Sequence, residues 1–315
     1  MNTDDKPTPK RNLWRNLRFL FQQMQKTKPE EFRRQFNHVL SPKGHTLLDQ
    51  TRDQLHRLQH TNAFTVRDSL YQVDHWFEAS KDAHTGERCF LLGCGPSLKN
   101  LDTTLLAGEQ IMATNGAFLL DNIKPDYYVT VSHYFYQSHL DAIRGLRCKR
   151  RFLPHYLKEL ESDCPTTWLN TVEASDYGQL STEKPLRFSN EPHKQLFLGG
   201  TVIFACLQIL LHLGYEEVIL LGVDHSYSAA IQKKHKTEFW TDSASMQDHF
   251  TKNYYRKGTQ VNIDLPAMER AYQLCHQAFE NKGRRLYNAT PGTRLTLIPK
   301  IDLEAAVALR SNSGL

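Results

Sequence analysis

Arg88-Cys89-Phe90-Leu91-Leu92-Gly93-Cys94-Gly95-Pro96-Ser97-Leu98 is an apolar run that ends abruptly in a glycine turn. Four consecutive apolar residues, too short for a helix and not alternating with polar ones, predict a strand buried on both faces, as parallel sheets require. The glycines allow a sharp turn and a close backbone approach to a phosphate or ribose. Ser97 is placed to cap a following helix, whose free N–H groups favour an anion. The pattern is neither Gly-x-Gly-x-x-Gly nor a P-loop, since no Gly-Lys-Ser/Thr follows. A plain tight turn fits it as well.

Further apolar runs at residues 110–114, 127–131, 151–153, 166–169, 217–221 and 285–287 predict more strands, with helical patterns at 201–213 and 265–281 between them. Strands alternating with helices make an α/β domain with an open, mostly parallel sheet. Ligands of such sheets lie outside the carboxyl ends of the strands. That rule selects Asn115 after the second strand and Asp224, His225 and Tyr227 after the 217–221 strand; Gly200 and Thr201 open the 201–213 helix, whose N-terminus could receive an anionic group. Each has a plain alternative: an Asn-Gly loop, close helix–sheet packing, a loop-capping carboxylate. Residues 225–262 are polar, aromatic and basic with weak periodicity, and read as a lid or a disordered loop. They carry His249, Tyr254 and Lys257, residue types that serve as base, phosphate contact and counter-charge.

Ahead of the first strand, residues 1–11 read as a disordered tail and 12–85 as a helical extension, leaving 86–315 as the domain that carries the chemistry. In the extension Leu13, Leu17, Leu20 and Phe21 recur at helical steps. Its early part is basic (Lys10, Arg11, Arg15, Arg18), and Lys149-Arg150-Arg151 is a second basic cluster. An anionic substrate, an anionic membrane surface or a solvated face all fit this charge. The whole chain of 315 residues carries a formal charge of +5 with 40% hydrophobic residues, within the range of folded soluble domains. Its six cysteines form no Cys-x-x-Cys pair and have no histidine cluster beside them, which argues against zinc and for reduced thiols in a cytoplasmic protein. No signal sequence or membrane-spanning apolar stretch is visible.

The ordered set Gly93-x-Gly95-Pro96-Ser97-Leu98, Asn115 and Leu213-Gly214-Tyr215-x-Glu217-Val218-x-Leu220-x-Gly222-Val223-Asp224 resembles a known superfamily. It is shared by small bacterial CMP-sialic-acid sialyltransferases, motility-associated flagellin glycosyltransferases and the archaeal 6-hydroxymethylpterin diphosphokinase. A branch of the pterin-diphosphokinase-like domain also shares Lys124-Pro125-Asp126, His249-Phe250, Tyr254, Lys257-Gly258 and Arg285-x-Tyr287-Asn288-Ala289-Thr290. The resemblance spans about residues 88–300. It implies a Rossmann-like sheet of the sialyltransferase-like GT-A variant type, and an inverting, metal-independent transfer of a nonulosonic-acid sugar from a CMP donor to a surface-glycan or lipid-linked acceptor. By the same resemblance Gly93, Cys94, Gly95, Ser97 and Asn115 hold CMP. Gly200, Thr201, Asp224, Tyr254 and Lys257 complete the substrate site, and His249, His225 and Tyr227 are the catalytic candidates.

The sequence departs from the sialyltransferase pattern at three places. Cys94 replaces Asn, Ser226 stands where the phosphate-binding tyrosine is expected, and Asn253 holds the position of the base. The resemblance implies no resident cofactor, no metal and no nucleic-acid partner. It leaves room for self-association and for peripheral membrane contact through residues 12–25. Competing readings are an ATP- and magnesium-dependent pterin-type diphosphokinase and a non-catalytic nucleotide-sugar-binding module.

Overall fold

The computed structural model describes residues 74–155, 163–173, 186–227, 240–242, 249–250, 254, 260–263 and 265–308. These lie within one compact unit, Tyr71–Leu315. The tail, the extension up to residue 73, and Lys257 fall outside the described residues.

The seven predicted strands are all present. They are β1 (Arg88–Leu92), β2 (Ile111–Thr114), β3 (Tyr127–Val129), β4 (Arg150–Pro154), β5 (Thr166–Leu169), β8 (Glu217–Leu221) and β11 (Arg285–Asn288). They form one sheet in the order β11-β8-β1-β2-β3-β4-β5, with every neighbouring pair parallel. The chain steps outward from β1 to β5, then returns to the other side of β1 with β8. The order therefore reverses between β1 and β8, and the carboxyl ends of these two strands diverge into a crevice.

Alternation along β1 explains why both faces must be covered. Cys89 and Leu91 point to one side, where they join a core with α4 (Val202–Leu213) and α5 (Leu265–Glu280). Phe90 and Leu92 point to the other, where they meet Leu98, Leu106, Phe135, Ile143 and Ala306. On that second side lie the short helices α2 (His133–Ser138), α3 (Leu140–Gly145) and α6 (Leu303–Ala308). Helix α4 is buried all round from Ile203 to Leu213 and ends at Gly214, whose φ of 98° forms the left-handed C-cap. Its buried Gln208 accepts from the N–H groups of Ser189 and Phe197 and donates to the carbonyls of Phe197 and Phe204, so burying this amide leaves neither end unpaired.

Ahead of β1, the helix α1 (His75–Ala79) is capped by Asp74 and packs Phe77 into the core against Phe152. Asp74 also accepts from Thr167 at 2.7 Å and lies 3.4 Å from Arg150, whose guanidinium stacks 3.7 Å from the centre of the Trp76 ring.

The basic run Lys149-Arg150-Arg151 is divided: Lys149 is exposed, while Arg150 and Arg151 are drawn into the fold. Lys149 pairs with Asp126 at 2.9 Å, and Asp126 caps the N–H of Ile111. Arg151 is 1% exposed and donates to the carbonyls of Ile143 and Cys164 and to the Thr166 hydroxyl. All six cysteines are free thiols. Cys148 and Cys164 lie with their sulfurs 3.6 Å apart, ahead of β4 and β5.

Two small sheets escape the sequence pattern. One pairs β6 (Thr171–Glu173) with β7 (Leu196–Leu198) in parallel. The other pairs β9 (Trp240–Asp242) with β10 (Gln260–Asn262) antiparallel, inside the segment read as a lid. No described helix is long and apolar enough to cross a membrane.

Candidate functional site

A cleft of about 190 Å³ opens at the β1–β8 crevice. Its floor is the first turn, Gly93, Cys94 and Gly95, and the β8 turn, Gly222 to Tyr227. Thr114 and Asn115 form one wall; Gly200 to Ile203 at the start of α4, with Met268 and Tyr272 of α5, form the other. His249, Tyr254 and Ile263 close the front.

The two turns lock to each other through the backbone. Gly93 N donates to the Leu221 carbonyl at 2.7 Å and Gly95 N to the Gly222 carbonyl at 2.8 Å. Approach this close leaves no room for a side chain. A Cβ on Gly93 would sit 2.4 Å from the Gly222 oxygen, and one on Gly95 would sit 1.8 Å from Asp224 Oδ2. Asp224 completes the lock: its carboxylate accepts from Ser97 N at 3.0 Å and from Ser97 Oγ at 2.7 Å. Behind it, Thr290 Oγ1 accepts from Val223 N, and Thr293 Oγ1 donates to the Val223 carbonyl. Asn288 donates to Thr293 Oγ1 and accepts from Thr290 N, so the Asn288-Ala289-Thr290 motif buttresses the β8 turn.

The first turn therefore differs from its expectation. Ser97 does not line the cleft, and its hydroxyl is engaged with Asp224 rather than capping a helix. The element that follows is a five-residue 3-10 helix, Pro96–Asn100, with Gly95 at its N-cap position. A helix start able to face an anion lies across the cleft at α4, where Thr201 accepts from Ile203 N at 3.3 Å.

Asn115 has φ of 41°, a left-handed conformation that Asn tolerates better than most residues. Its Oδ1 accepts from Thr130 Oγ1 at 2.7 Å. The bond fixes the amide's orientation, with Oδ1 turned to Thr130. Cys94 donates its S–H to the Thr114 carbonyl at 3.2 Å, and burial raises its thiol pKa, so it behaves as a turn-packing group rather than a nucleophile.

The front of the cleft docks on the first turn: Phe250 N donates to the Cys94 carbonyl at 3.0 Å. His249 stacks on Tyr254 with ring centres 3.6 Å apart, and Tyr254 packs in turn against Phe135 at 4.8 Å. Burial holds the His249 imidazolium down to a pKa of about 4, with the Cys94 carbonyl pulling weakly the other way. A histidine whose folded pKa lies below its unfolded value of about 6.5 stabilises the fold fully above that value and loses the contribution as pH falls toward the folded pKa. The free energy of unfolding is therefore expected to drop by about 2–3 kcal/mol between pH 6.5 and 4 on account of His249. Urea unfolding across this range checks it, since His249→Phe should flatten the slope. An unchanged slope would remove the assignment.

His225 stands in the left-handed region at φ of 51°. Its ring meets those of Tyr227 and Tyr272 edge-on, each at 5.7 Å. Burial lowers its pKa, with Glu269 opposing.

The structure thus gathers Gly93, Cys94, Gly95, Asn115, Gly200, Thr201, Asp224, His225, Tyr227, His249 and Tyr254 around one cleft. Met268, Tyr272 and Glu269 were not anticipated. They lie on a helix read only as a helical pattern between strands, and nothing in their spacing marks chemistry. Among the described residues no group of three or more His, Cys, Asp or Glu could hold a metal ion.

No curated protein matches the sequence. Among solved structures, the sialyltransferase CstII from Campylobacter jejuni in complex with cytidine-5'-monophosphate is similar at 15% identity and a TM-score of 0.28, covering 68% of this chain and 84% of its own. The same enzyme with CMP-3FNeuAc gives 15% and 0.28, over 68% and 85%. The family model of the MptE-like proteins, described as 6-hydroxymethylpterin diphosphokinase MptE-like, matches residues 58–230, more than half of the chain. The chain belongs to the 6-hydroxymethylpterin diphosphokinase MptE-like family.

Proposed function

We propose that the chain is a glycosyltransferase that takes a nonulosonic-acid-type sugar from a CMP donor and passes it to a glycan or lipid-linked acceptor. The carrying observation is the convergence on one cleft of the interlocked glycine turn, the oriented Asn115 amide and the start of α4. A donor of this type presents a base and ribose to be read by hydrogen bonds, and anionic groups to be met by backbone N–H. The turn backbone and the Asn115 amide supply the first, and the α4 start with Thr201 the second. An acceptor hydroxyl then attacks the anomeric carbon from the face opposite CMP. The C–O bond to the phosphate breaks, the electron pair leaves with CMP, and the configuration inverts. Charge growing on the departing phosphate calls for preorganised donors, a role assigned here to the α4 N–H groups and, once it leaves Met268 Sδ, to the Tyr227 hydroxyl.

The family description favours a second reading, pyrophosphoryl transfer from ATP with magnesium. The donor set fits this poorly. Asp224 is the one carboxylate among the described lining residues, and both its oxygens are engaged by Ser97.

Thermal stabilisation by nucleotides separates the readings. CMP at about 100 times its dissociation constant should add roughly 2.7 kcal/mol, and Asn115→Ala should abolish the effect. Equal stabilisation by ATP with magnesium, or none by CMP, would sink the donor assignment.

A further inference from the structure

The cleft has two unlike sides. The turn backbone, Thr114 and Asn115 make one of them polar. On the other, Val202, Tyr227 and Ile263 are half-buried and pack on the core that holds Ile203, Met268 and Tyr272; all six line the cleft. The polar atoms on this side are already engaged. Thr201 Oγ1 accepts from Ile203 N and bonds the Tyr272 hydroxyl, and the Tyr227 hydroxyl lies 3.7 Å from Met268 Sδ. His225 stands edge-on to Tyr227 and Tyr272, with its Nε2 facing Glu269 and its Nδ1 buried. It therefore adds aromatic surface to this side and turns no ring nitrogen to the cleft. No lysine, arginine or glutamate is among the described lining residues. A ligand hydroxyl set against such a face gives up water and finds no partner in return, whereas a methyl or acyl group gains by being covered.

Resting on the donor reading above, we propose that this face selects the transferred sugar by receiving an acyl or methyl substituent, carried where a plainer nonulosonic acid has a hydroxyl. Val202 and Ile263 are the specificity-determining residues. Both are only half-buried, so each has apolar surface left for a ligand to cover. Val202 is the first residue of α4, directly after the capping Thr201. The face therefore begins where the helix start meets the anionic groups of the donor. The sugar is bonded directly to the donor phosphate, so a phosphate at the helix start brings the sugar against Val202, while base and ribose lie toward Asn115. A pocket of this kind separates ligands that differ by one small group by about 10–200-fold.

The test is calorimetry of the full chain with CMP and with three CMP-activated sugars of one configuration. CMP-ketodeoxynononic acid carries hydroxyls throughout. CMP-N-acetylneuraminic acid has an acetamido group in place of one of them. CMP-legionaminic acid has a second acetamido group and a terminal methyl in place of two more. Affinity relative to CMP should rise along this series, by at least about tenfold from its first member to its last. Val202→Thr and Ile263→Thr should each weaken CMP-legionaminic acid about tenfold more than they weaken CMP. A flat or falling series, or variants that weaken CMP as much as the sugars, would overturn the selection and leave the donor reading standing. A series that rises equally in both variants would remove Val202 and Ile263 from the role. Binding of none of the four ligands would overturn the donor reading, and the selection with it.

Discussion

In Gly95→Ala, unfolding free energy is expected to fall by about 3 kcal/mol, with stabilisation by CMP lost. An added Cβ would stand 1.8 Å from Asp224 Oδ2 and 2.8 Å from the Gly222 carbonyl oxygen. The carbonyl has nowhere to go, because it is hydrogen-bonded to Gly95 itself. The carboxylate can rotate, but only by giving up the Ser97 N–H and hydroxyl. Hydrogen bonds to a charged group contribute about 1.5–3 kcal/mol each, and overpacking adds about 1–3 kcal/mol. These costs overlap, since moving the carboxylate relieves the clash. Gly145→Ala is the control: nothing lies within 4 Å of its Cβ, so stability should change by less than about 0.5 kcal/mol. Denaturant unfolding of both variants decides the matter. A Gly95→Ala protein as stable as Gly145→Ala would mean that the two turns are not locked.

The second large effect is expected on the far side of the sheet. Arg151→Ala should cost about 4 kcal/mol, and Arg151→Met about half of that. Among the described residues the guanidinium makes its hydrogen bonds to uncharged oxygens only, two carbonyls and a hydroxyl. Truncation leaves those groups buried and unpaired and opens a cavity; methionine fills the volume but not the bonds. If both variants unfold at the wild-type denaturant midpoint, the side chain is not structural and the anionic-partner reading of the basic cluster returns.

The frame of the fold was legible because parallel strands are buried on both faces. Cys89–Leu92 and Val218–Leu221 read as unbroken apolar runs, and the glycine turns mark their ends. The 201–213 helix was equally plain. What the pattern could not show was pairing between distant turns. Ser97 carries the usual signature of a helix cap, yet its partner is Asp224, and only their meeting in space shows this. Arg151 reads as one member of a basic patch because its neighbours are Lys149 and Arg150; strand alternation turns it inward. The small β6–β7 and β9–β10 pairs are three residues long, below the length at which alternation is informative. Glu269 is one charged residue on an amphipathic helix, and only its place 3.6 Å from His225 sets it apart from the charges beside it.

The lock between the turns also sets the order in which the molecule can be completed. Ser97 and Asp224 are 127 residues apart, and β1 has β8 as its neighbour on one side. During synthesis at about 5–20 residues per second, roughly 6–25 s pass between the first turn and its partner. Throughout that interval the β8-facing edge of β1, an apolar strand, has no mate within the chain. Contacts of such long separation form late and slowly in any case. The edge of β1 that β8 will cover therefore stays open until residue 221 has been made, and unpaired apolar edges of this kind are where chains associate wrongly.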